Sequence, residues 1–141
     1  MVRNHLLHFI SLADNSASIE VPEFIPNAPT LRPLDVYTDA TFPCGRAALD
    51  VGIRSPDSGN AGVDCCESMW SSKLKHYQDH LEAVGRVGLR YYPIVFSCCG
   101  RVYVSAITSL ELVAKQAAER MGVGDHYPIV RRAHAAFGVA M

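Results

Sequence analysis

The sequence predicts a single α/β domain over residues 1–141. Segments with helical periodicity alternate with short segments rich in strand-forming residues, in the order helix, β-hairpin, helix, strand, helix. Of the 141 residues, 49% are hydrophobic, which is enough for one substantial core and argues against disorder. The chain has no internal repeats or linkers that would separate a second domain. We expect a core over about residues 3–105 and C-terminal helices over about 108–141.

The N-terminal part combines a short helix with a proline-rich segment. Apolar residues recur at helical spacing from residue 2 to about 14, which predicts an amphipathic helix. Residues 18–21 have the composition of a brief strand. Residues 22–33 contain four prolines, and because proline cannot donate a backbone hydrogen bond, we expect an extended loop there.

A β-hairpin is predicted over about residues 34–54, with a turn-rich loop at 42–46. Residues 55–60 carry a turn signal and a residue suited to cap a helix. The helix itself is predicted from about 61 to 84, ending at Gly85. Its apolar stripe consists of Met69, Leu74, Tyr77, Leu81 and Val84.

The C-terminal half is predicted to contain one strand and two helices. Residues 89–96 are rich in β-formers, and residues 101–104 continue this strand or pair with it. Thr108 or Ser109 is expected to cap the next helix, which the glycines after Met121 stop. An Ala- and Val-rich last helix begins at Tyr127.

Charge and hydropathy limit the classes of partner. The net charge of −1 gives no overall basic signal for nucleic acid, although a local basic face is compatible with it. No apolar run approaches the ~18–20 residues that span a bilayer, so no membrane association is expected. Histidines and a serine interrupt the N-terminal apolar residues, which is unlike a signal peptide.

The five cysteines comprise Cys44 and two adjacent pairs, Cys65–Cys66 and Cys98–Cys99. An odd number in adjacent pairs is a poor disulfide framework, so we expect reduced thiols and an intracellular location. Adjacent cysteines also lack the two-residue spacer of ordinary zinc knuckles. A four-cysteine site built from the two pairs is conceivable, but buried apolar thiols are the preferred interpretation.

The hairpin carries one aspartate on each segment, Asp35 and Asp50. An acid at the start of one strand comes close to an acid late in the next, and converging carboxylates are the usual means of holding Mg²⁺. A catalytic cation is commonly found two residues after the second acid, where this chain has Gly52. Lys73 and Tyr77 lie four apart on one face of the following helix and can supply the cation and a hydrogen-bonding hydroxyl.

Each of these residues also has a structural interpretation. An aspartate beside proline or at a strand end commonly forms a turn. A helix lysine is usually solvated, and Tyr77 falls on the apolar stripe. His76 and His80, four residues apart, are weaker candidates for a metal site because no acid or cysteine stands at suitable spacing.

The motifs resemble the PD-(D/E)xK, or restriction-endonuclease-like, superfamily. The resemblance is closest to the endonuclease domains of site-specific non-LTR retrotransposon polyproteins, and it extends over about residues 3–100. In that family the lysine lies on the helix after the core hairpin. The matching segments, in chain order, are Arg-Pro-Leu-Asp at 32–35, Ala-Leu-Asp-Val at 48–51, Ser-Pro at 55–56, the helix from Lys73 to Tyr77, and Tyr-Pro-Ile-Val at 92–95 followed by Gly100. The first helix and Glu-Val-Pro at 20–22 match more loosely.

The resemblance implies a mixed central β-sheet flanked by helices and metal-dependent cleavage of DNA. Asp35 and Asp50 would bind Mg²⁺, with Mn²⁺ as a substitute, and Glu20 would be an additional ligand. Lys73 would be the catalytic lysine, with Tyr77 beside it. The residues expected to contact DNA are Arg32, Arg46 and Lys75.

The resemblance also implies a cellular setting. The expected role is nicking of target DNA for a retroelement, or a related junction-cleaving activity, in the nucleus. The expected partners are DNA, a reverse transcriptase region of the same polyprotein and a second copy of the chain. Two alternatives stay open: a non-catalytic domain of the same fold that binds nucleic acid or protein, and a zinc- or thiol-based module that uses the cysteine pairs.

Overall fold

A four-stranded mixed β-sheet lies between two helical layers in the computed structural model of the chain. The structure describes residues 2–19, 35–43, 45–86 and 88–140. For residues 139 and 140 it describes the backbone alone. The elements are α1 (Val2–Ser11), β1 (Ser18–Ile19), β2 (Val36–Phe42), β3 (Gly45–Arg54), α2 (Cys65–Arg86), β4 (Arg90–Ser97), α3 (Val104–Met121) and α4 (Tyr127–Ala140).

The strands lie in the order β1-β2-β3-β4. The β1–β2 and β2–β3 pairs are antiparallel, whereas β3 and β4 are parallel and are connected through α2. In the parallel register Asp50 is opposite Pro93. The proline is compatible with a strand here because β4 is at the edge of the described sheet.

Alternation along β3 assigns its side chains to the two helical layers. Ala47, Leu49 and Val51 belong to the large core formed with α1, α3 and α4. Ala48 packs instead with Tyr77 of α2. Because side chains in a strand alternate between faces, Asp50 shares the α2 face with Ala48. The hairpin therefore presents this aspartate to the helix that carries Lys73.

Aromatic packing holds the large core together on the opposite face. The ring of Phe137 in α4 lies 6.3 Å from Phe9 of α1 and 5.2 Å from Phe96 of β4. Phe42 and Tyr92 stack at 4.5 Å across β2 and β4. These contacts give the sheet a rigid support behind the face that α2 covers.

Asp14 fastens the end of α1 to β2. Its buried carboxylate accepts hydrogen bonds from the Ser16 and Thr38 hydroxyls, the latter at 2.5 Å, and from the backbone N–H groups of Ser16, Asp39 and Ala40. Burial opposes ionisation, but the hydrogen bonds from Ser16 and Thr38 outweigh it, so the pKa of Asp14 is well below its ordinary value.

The α/β prediction and the order of its elements are confirmed, including the hairpin and the strand at 89–96. The start of α2 was predicted wrongly. It begins at Cys65 rather than near 61, because the Asp64 carboxylate accepts the backbone N–H groups of Cys66 at 2.8 Å and Glu67 at 3.1 Å and is the true N-cap. At its other end, α2 continues through Gly85 to Arg86.

The start of α3 was also predicted wrongly. The helix begins at Val104, and its N-cap residue, Tyr103, makes no side-chain capping bond. Ser109 lies within the helix, where its hydroxyl donates to the carbonyl of Ser105 at 3.1 Å. The helix ends at Gly122, whose φ of 67° is the left-handed conformation expected of a glycine stop. Among the described helices, none is both long and apolar enough to cross a membrane.

Candidate active site

The hairpin places Asp35 beside Asp50. The backbone N–H of Asp35 donates to the carbonyl of Leu49 at 2.9 Å. One of its carboxylate oxygens, Oδ2, accepts the N–H of Val51 at 2.8 Å. Asp35 thus contacts both chain neighbours of Asp50, and it stands at the point where β2 begins. The two acids are close enough for the charge of Asp35 to raise the pKa of Asp50, and their convergence on one metal ion stays a prediction.

Lys73 reaches Asp50 from α2. Its Nζ lies 2.7 Å from Asp50 Oδ2, and both side chains are largely buried, with 16% and 11% of their surfaces exposed. Such a pair is far less screened by solvent than an exposed ion pair. The helix position predicted for the lysine therefore brings its charge into direct contact with the second acid.

Gly52 makes this approach possible. A Cβ at position 52 would be 2.5 Å from Lys73 Cε and 3.1 Å from Met69 Cγ, distances at which atoms overlap. The lysine side chain therefore passes over the backbone of β3 at the position two residues after Asp50. The Lys73 ammonium group from α2 thus lies near the place that the ammonium group of a strand lysine, two residues after the acid, would occupy.

Tyr91 is a site residue that the sequence reasoning missed. Its hydroxyl donates to Asp50 Oδ2 at 2.5 Å, so it contacts the same oxygen as Lys73. Tyr91 is on β4 opposite Ala48, two residues before Pro93, which is opposite Asp50. Its aromatic neighbour in sequence, Tyr92, faces the large core instead. Only the register of the parallel β3–β4 pair identifies which of the two tyrosines reaches the acid.

Burial dominates the electrostatics of Asp50. It raises the pKa of Asp50, while the charge and hydrogen bond of Lys73 and the hydrogen bond from Tyr91 act in the opposite direction. The nearby charge of Asp35 adds to the increase. Burial and the Asp50 charge likewise raise the pKa of Tyr91, which keeps its hydroxyl protonated and donating. Positive charge beside Asp50, such as that of Lys73, therefore favours the ionised form of its carboxylate.

Tyr77 packs behind this group. Only 9% of its surface is exposed, and its ring lies 5.0 Å from that of Tyr91 in a small cluster with Ala48, Val84 and Leu89. Burial, followed by the charges of Asp50 and Asp35, raises the pKa of Tyr77. The structure therefore places it near the two acids, where it supports the Tyr91 ring.

The residues predicted to contact DNA are either exposed or outside the described part of the chain. Lys75 is exposed on α2. Arg46 is exposed near the hairpin turn, where its Nε donates to the Tyr37 hydroxyl at 3.0 Å. Arg32 and the proposed additional ligand Glu20 lie outside the described residues. His76 is exposed and packs on the Tyr77 ring at 4.7 Å, and the described residues contain no three-ligand cluster that includes a histidine.

Asp35 also opens onto an accessible groove. This groove has a volume of about 400 Å³ and is lined by Asp35, Val51 and Ile53 and by the first residues of α1, including Arg3 and Asn4. The lining thus includes one acidic and one basic residue. The groove lies on the α1 side of the sheet, whereas Lys73 and Asp50 meet on the α2 side.

Asp35 and Asp50 offer carboxylate oxygens, the type of ligand that a hard divalent cation prefers. The hydrogen bonds and ion pairs that the described residues make to Asp35 and Asp50 all involve Oδ2. Each carboxylate therefore retains Oδ1 as an oxygen ligand. Two carboxylates completed by water and phosphate oxygens are the coordination that Mg²⁺ prefers in nucleotide-processing sites.

Comparison of the chain with protein-family models, with curated proteins and with solved structures found no significant match.

Proposed function

We propose that the chain is a metal-dependent endodeoxyribonuclease domain with a restriction-endonuclease-like core. The observation that carries the proposal is the contact of Lys73 with Asp50, made over Gly52, on a hairpin whose other strand begins beside Asp35. The order of the motifs, the position of Lys73 on the helix and its contact with Asp50 all support the same site. A decayed relative that keeps the fold and binds DNA without cutting it is the competing proposal, and it differs only in activity.

Asp35 and Asp50 are the residues that would hold Mg²⁺. A divalent ion bound there polarises the scissile phosphate and lowers the pKa of a water molecule. Asp50 is suited to this role because it is buried and because its Oδ2 is already fixed by two donors. Asp35 is suited to it because it lines an accessible groove.

Lys73 would supply positive charge at the reacting phosphate. Its Nζ is anchored on Asp50 Oδ2, so the ammonium is already ordered before DNA arrives. Charge that builds up on the phosphate oxygens during attack is then stabilised without a rearrangement of the side chain. Tyr91 acts through Asp50, since it fixes the orientation of that carboxylate, and Tyr77 supports the Tyr91 ring.

The wider setting follows from the resemblance and is part of the proposal. The substrate would be target DNA of a retroelement or a branched DNA junction, and the domain would act in the nucleus beside a reverse transcriptase region of the same polyprotein. A second copy of the chain would be required to cut both strands.

Cleavage of supercoiled plasmid and of branched DNA by the purified protein tests this proposal. We expect Mg²⁺ or Mn²⁺ to support cutting, and we expect Lys73→Ala to abolish it. Lys115→Ala is the matched control, because it removes an exposed helix lysine that has no role in the proposed site and should preserve the activity. DNA binding without cutting by the wild-type protein would establish the decayed relative instead.

A further inference from the structure

The two cysteine pairs meet at one corner of the fold, away from the acids. Cys65 and Cys66 form the first turn of α2, and Cys98 and Cys99 lie in the turn that follows β4. Cys65 and Cys99 line a common cavity of about 330 Å³ together with Asp64. Cysteines 34 positions apart in sequence thus line one space. The adjacency of the cysteines in sequence gave no indication of this.

Three potential ligands are already close together. A carboxylate oxygen of Asp64 and the sulfur atoms of Cys65 and Cys66 all lie within 4.8 Å of one another. Ligands of a tetrahedral zinc ion are separated by about 3.8 Å, given a Zn–S distance of about 2.3 Å. Closing the triad onto an ion requires movements of about 1 Å, which side-chain rotations provide. Cys99 is placed to be the fourth ligand across the cavity.

Arg101 brings a positive charge to the triad. Cys66 is fully buried, and its thiol donates to the backbone carbonyl of Arg101 at 3.9 Å. Arg101 also forms a bidentate ion pair with Asp64. The N-terminus of α2 adds a positive backbone potential. These groups would balance the excess negative charge of a zinc ion bound by three thiolates.

We propose that Asp64, Cys65, Cys66 and Cys99 bind one thiophilic divalent ion, of which Zn²⁺ is the representative. Three soft sulfur ligands and one carboxylate select such an ion over Mg²⁺, which prefers oxygen. Binding releases the thiol protons to solvent and leaves no position open for substrate, so the site is structural. It would fasten the start of α2 to the turn after β4, two turns before the helix reaches Lys73. The site is independent of the nuclease proposal.

Spectroscopy of the Co²⁺-substituted protein tests the ligand set without any assay of activity. Reduced, metal-free protein is titrated with Co²⁺, and the sulfur-to-cobalt charge-transfer band is then displaced with Zn²⁺. We expect one ion per chain, an intense thiolate band and a higher melting temperature with stoichiometric Zn²⁺. Binding at the carboxylates Asp35 and Asp50 gives no thiolate band, so the two sites are distinguishable.

Two substitutions identify the ligands. Cys99→Ser should lower the affinity for Zn²⁺ by more than about tenfold, and because Cys99 is exposed, the variant should fold normally. Cys65→Ser should have the same effect. Cys98→Ser is the matched control, since it changes the neighbouring exposed thiol, and it should bind like the wild type. A missing thiolate band, or equal affinity in the wild type, Cys65→Ser and Cys99→Ser, would overturn the proposal. Loss of binding in Cys98→Ser would overturn the assignment of Cys99.

Discussion

Lys73 of α2 lies over Gly52 of β3, so closely that its Cε is 2.5 Å from where a Cβ of residue 52 would be. The absence of a side chain at position 52 is what allows the helix lysine to reach Asp50. The strand position and the helix position therefore compete for the same space. In this chain α2 supplies the lysine ammonium group, and Gly52 of β3 leaves the space that its side chain occupies.

Gly52→Ala should separate activity from stability. The added methyl group displaces the end of the Lys73 side chain, which is flexible, so we expect the free energy of unfolding to fall by only about 1 kcal/mol. A misplaced ammonium should reduce the rate of cleavage about 10²-fold. Thermal melting and single-turnover cleavage measure the two effects.

Gly85→Ala is the matched control, because its Cβ meets nothing within 4 Å and the residue is also in a regular element. We expect full activity and unchanged or slightly increased stability. Equal rates for Gly52→Ala and the wild type would show that the position of Lys73 is irrelevant to cleavage.

Moving the lysine should partly restore activity. Lys73→Ala removes the ammonium and empties the space above Gly52, so a second substitution, Gly52→Lys, can fill it from the strand. We expect the double variant to cleave at least about tenfold faster than Lys73→Ala alone. Gly52→Lys by itself should be inactive, because two lysines cannot occupy one space. A double variant no faster than Lys73→Ala would contradict the equivalence of the two positions.

Tyr91→Phe should shift the pH dependence of cleavage. Its hydrogen bond lowers the pKa of Asp50, so without it that pKa, already raised by burial, rises further. Metal binding needs the ionised carboxylate, and protons compete for it below the pKa. The acid limb of the rate profile should therefore move to higher pH, and the rate at neutral pH should fall about tenfold.

Tyr92→Phe serves as the control for this shift, since Tyr92 packs against Phe42 on the other face of the sheet. Its acid limb should coincide with that of the wild type. If Tyr91→Phe also leaves the limb unmoved, Tyr91 does not act through Asp50.

Much of the fold follows from local patterns. The hairpin is predicted because a turn-rich loop separates two short strand-forming runs. The approach of Lys73 to the hairpin is predicted because Lys73 shares a helix face with apolar Tyr77, and its direct contact with Asp50 is seen only in the structure. The helix starts were misplaced because caps are ambiguous locally. Several possible caps precede Asp64, and Tyr103 offers no side-chain bond to detect.

Contacts across the sheet could not be predicted in the same way. The role of Tyr91 depends on the register between parallel strands that are joined by a 22-residue helix, and no short sequence pattern encodes that register. The meeting of Cys65 with Cys99 depends on the same crossover. In the sequence, Gly52 stands at the position where a lysine would be expected. Only the packing shows that this glycine leaves space for the side chain of Lys73.

Asp14 should be a stabilising residue with no role in cleavage. Asp14→Ala leaves the N–H groups of Asp39 and Ala40 without their acceptor, so we expect a loss of about 3 kcal/mol in the free energy of unfolding at neutral pH. Because the folded-state pKa of Asp14 is lowered, its contribution is present above the unfolded-state pKa and is lost as the pH falls. The gap between variant and wild type should narrow on acidification. Asp79→Ala, an exposed change, should have little effect at any pH.

The most direct test of the central claim is single-turnover cleavage of plasmid DNA by Asp50→Asn with Mg²⁺. The amide has the shape of the carboxylate and keeps an oxygen for Tyr91, but it removes the negative charge that would hold the metal. We predict that the variant folds, with a melting temperature within about 5 °C of the wild type, and that it does not cut DNA. Cleavage by Asp50→Asn at the wild-type rate would show that this constellation is not the active site.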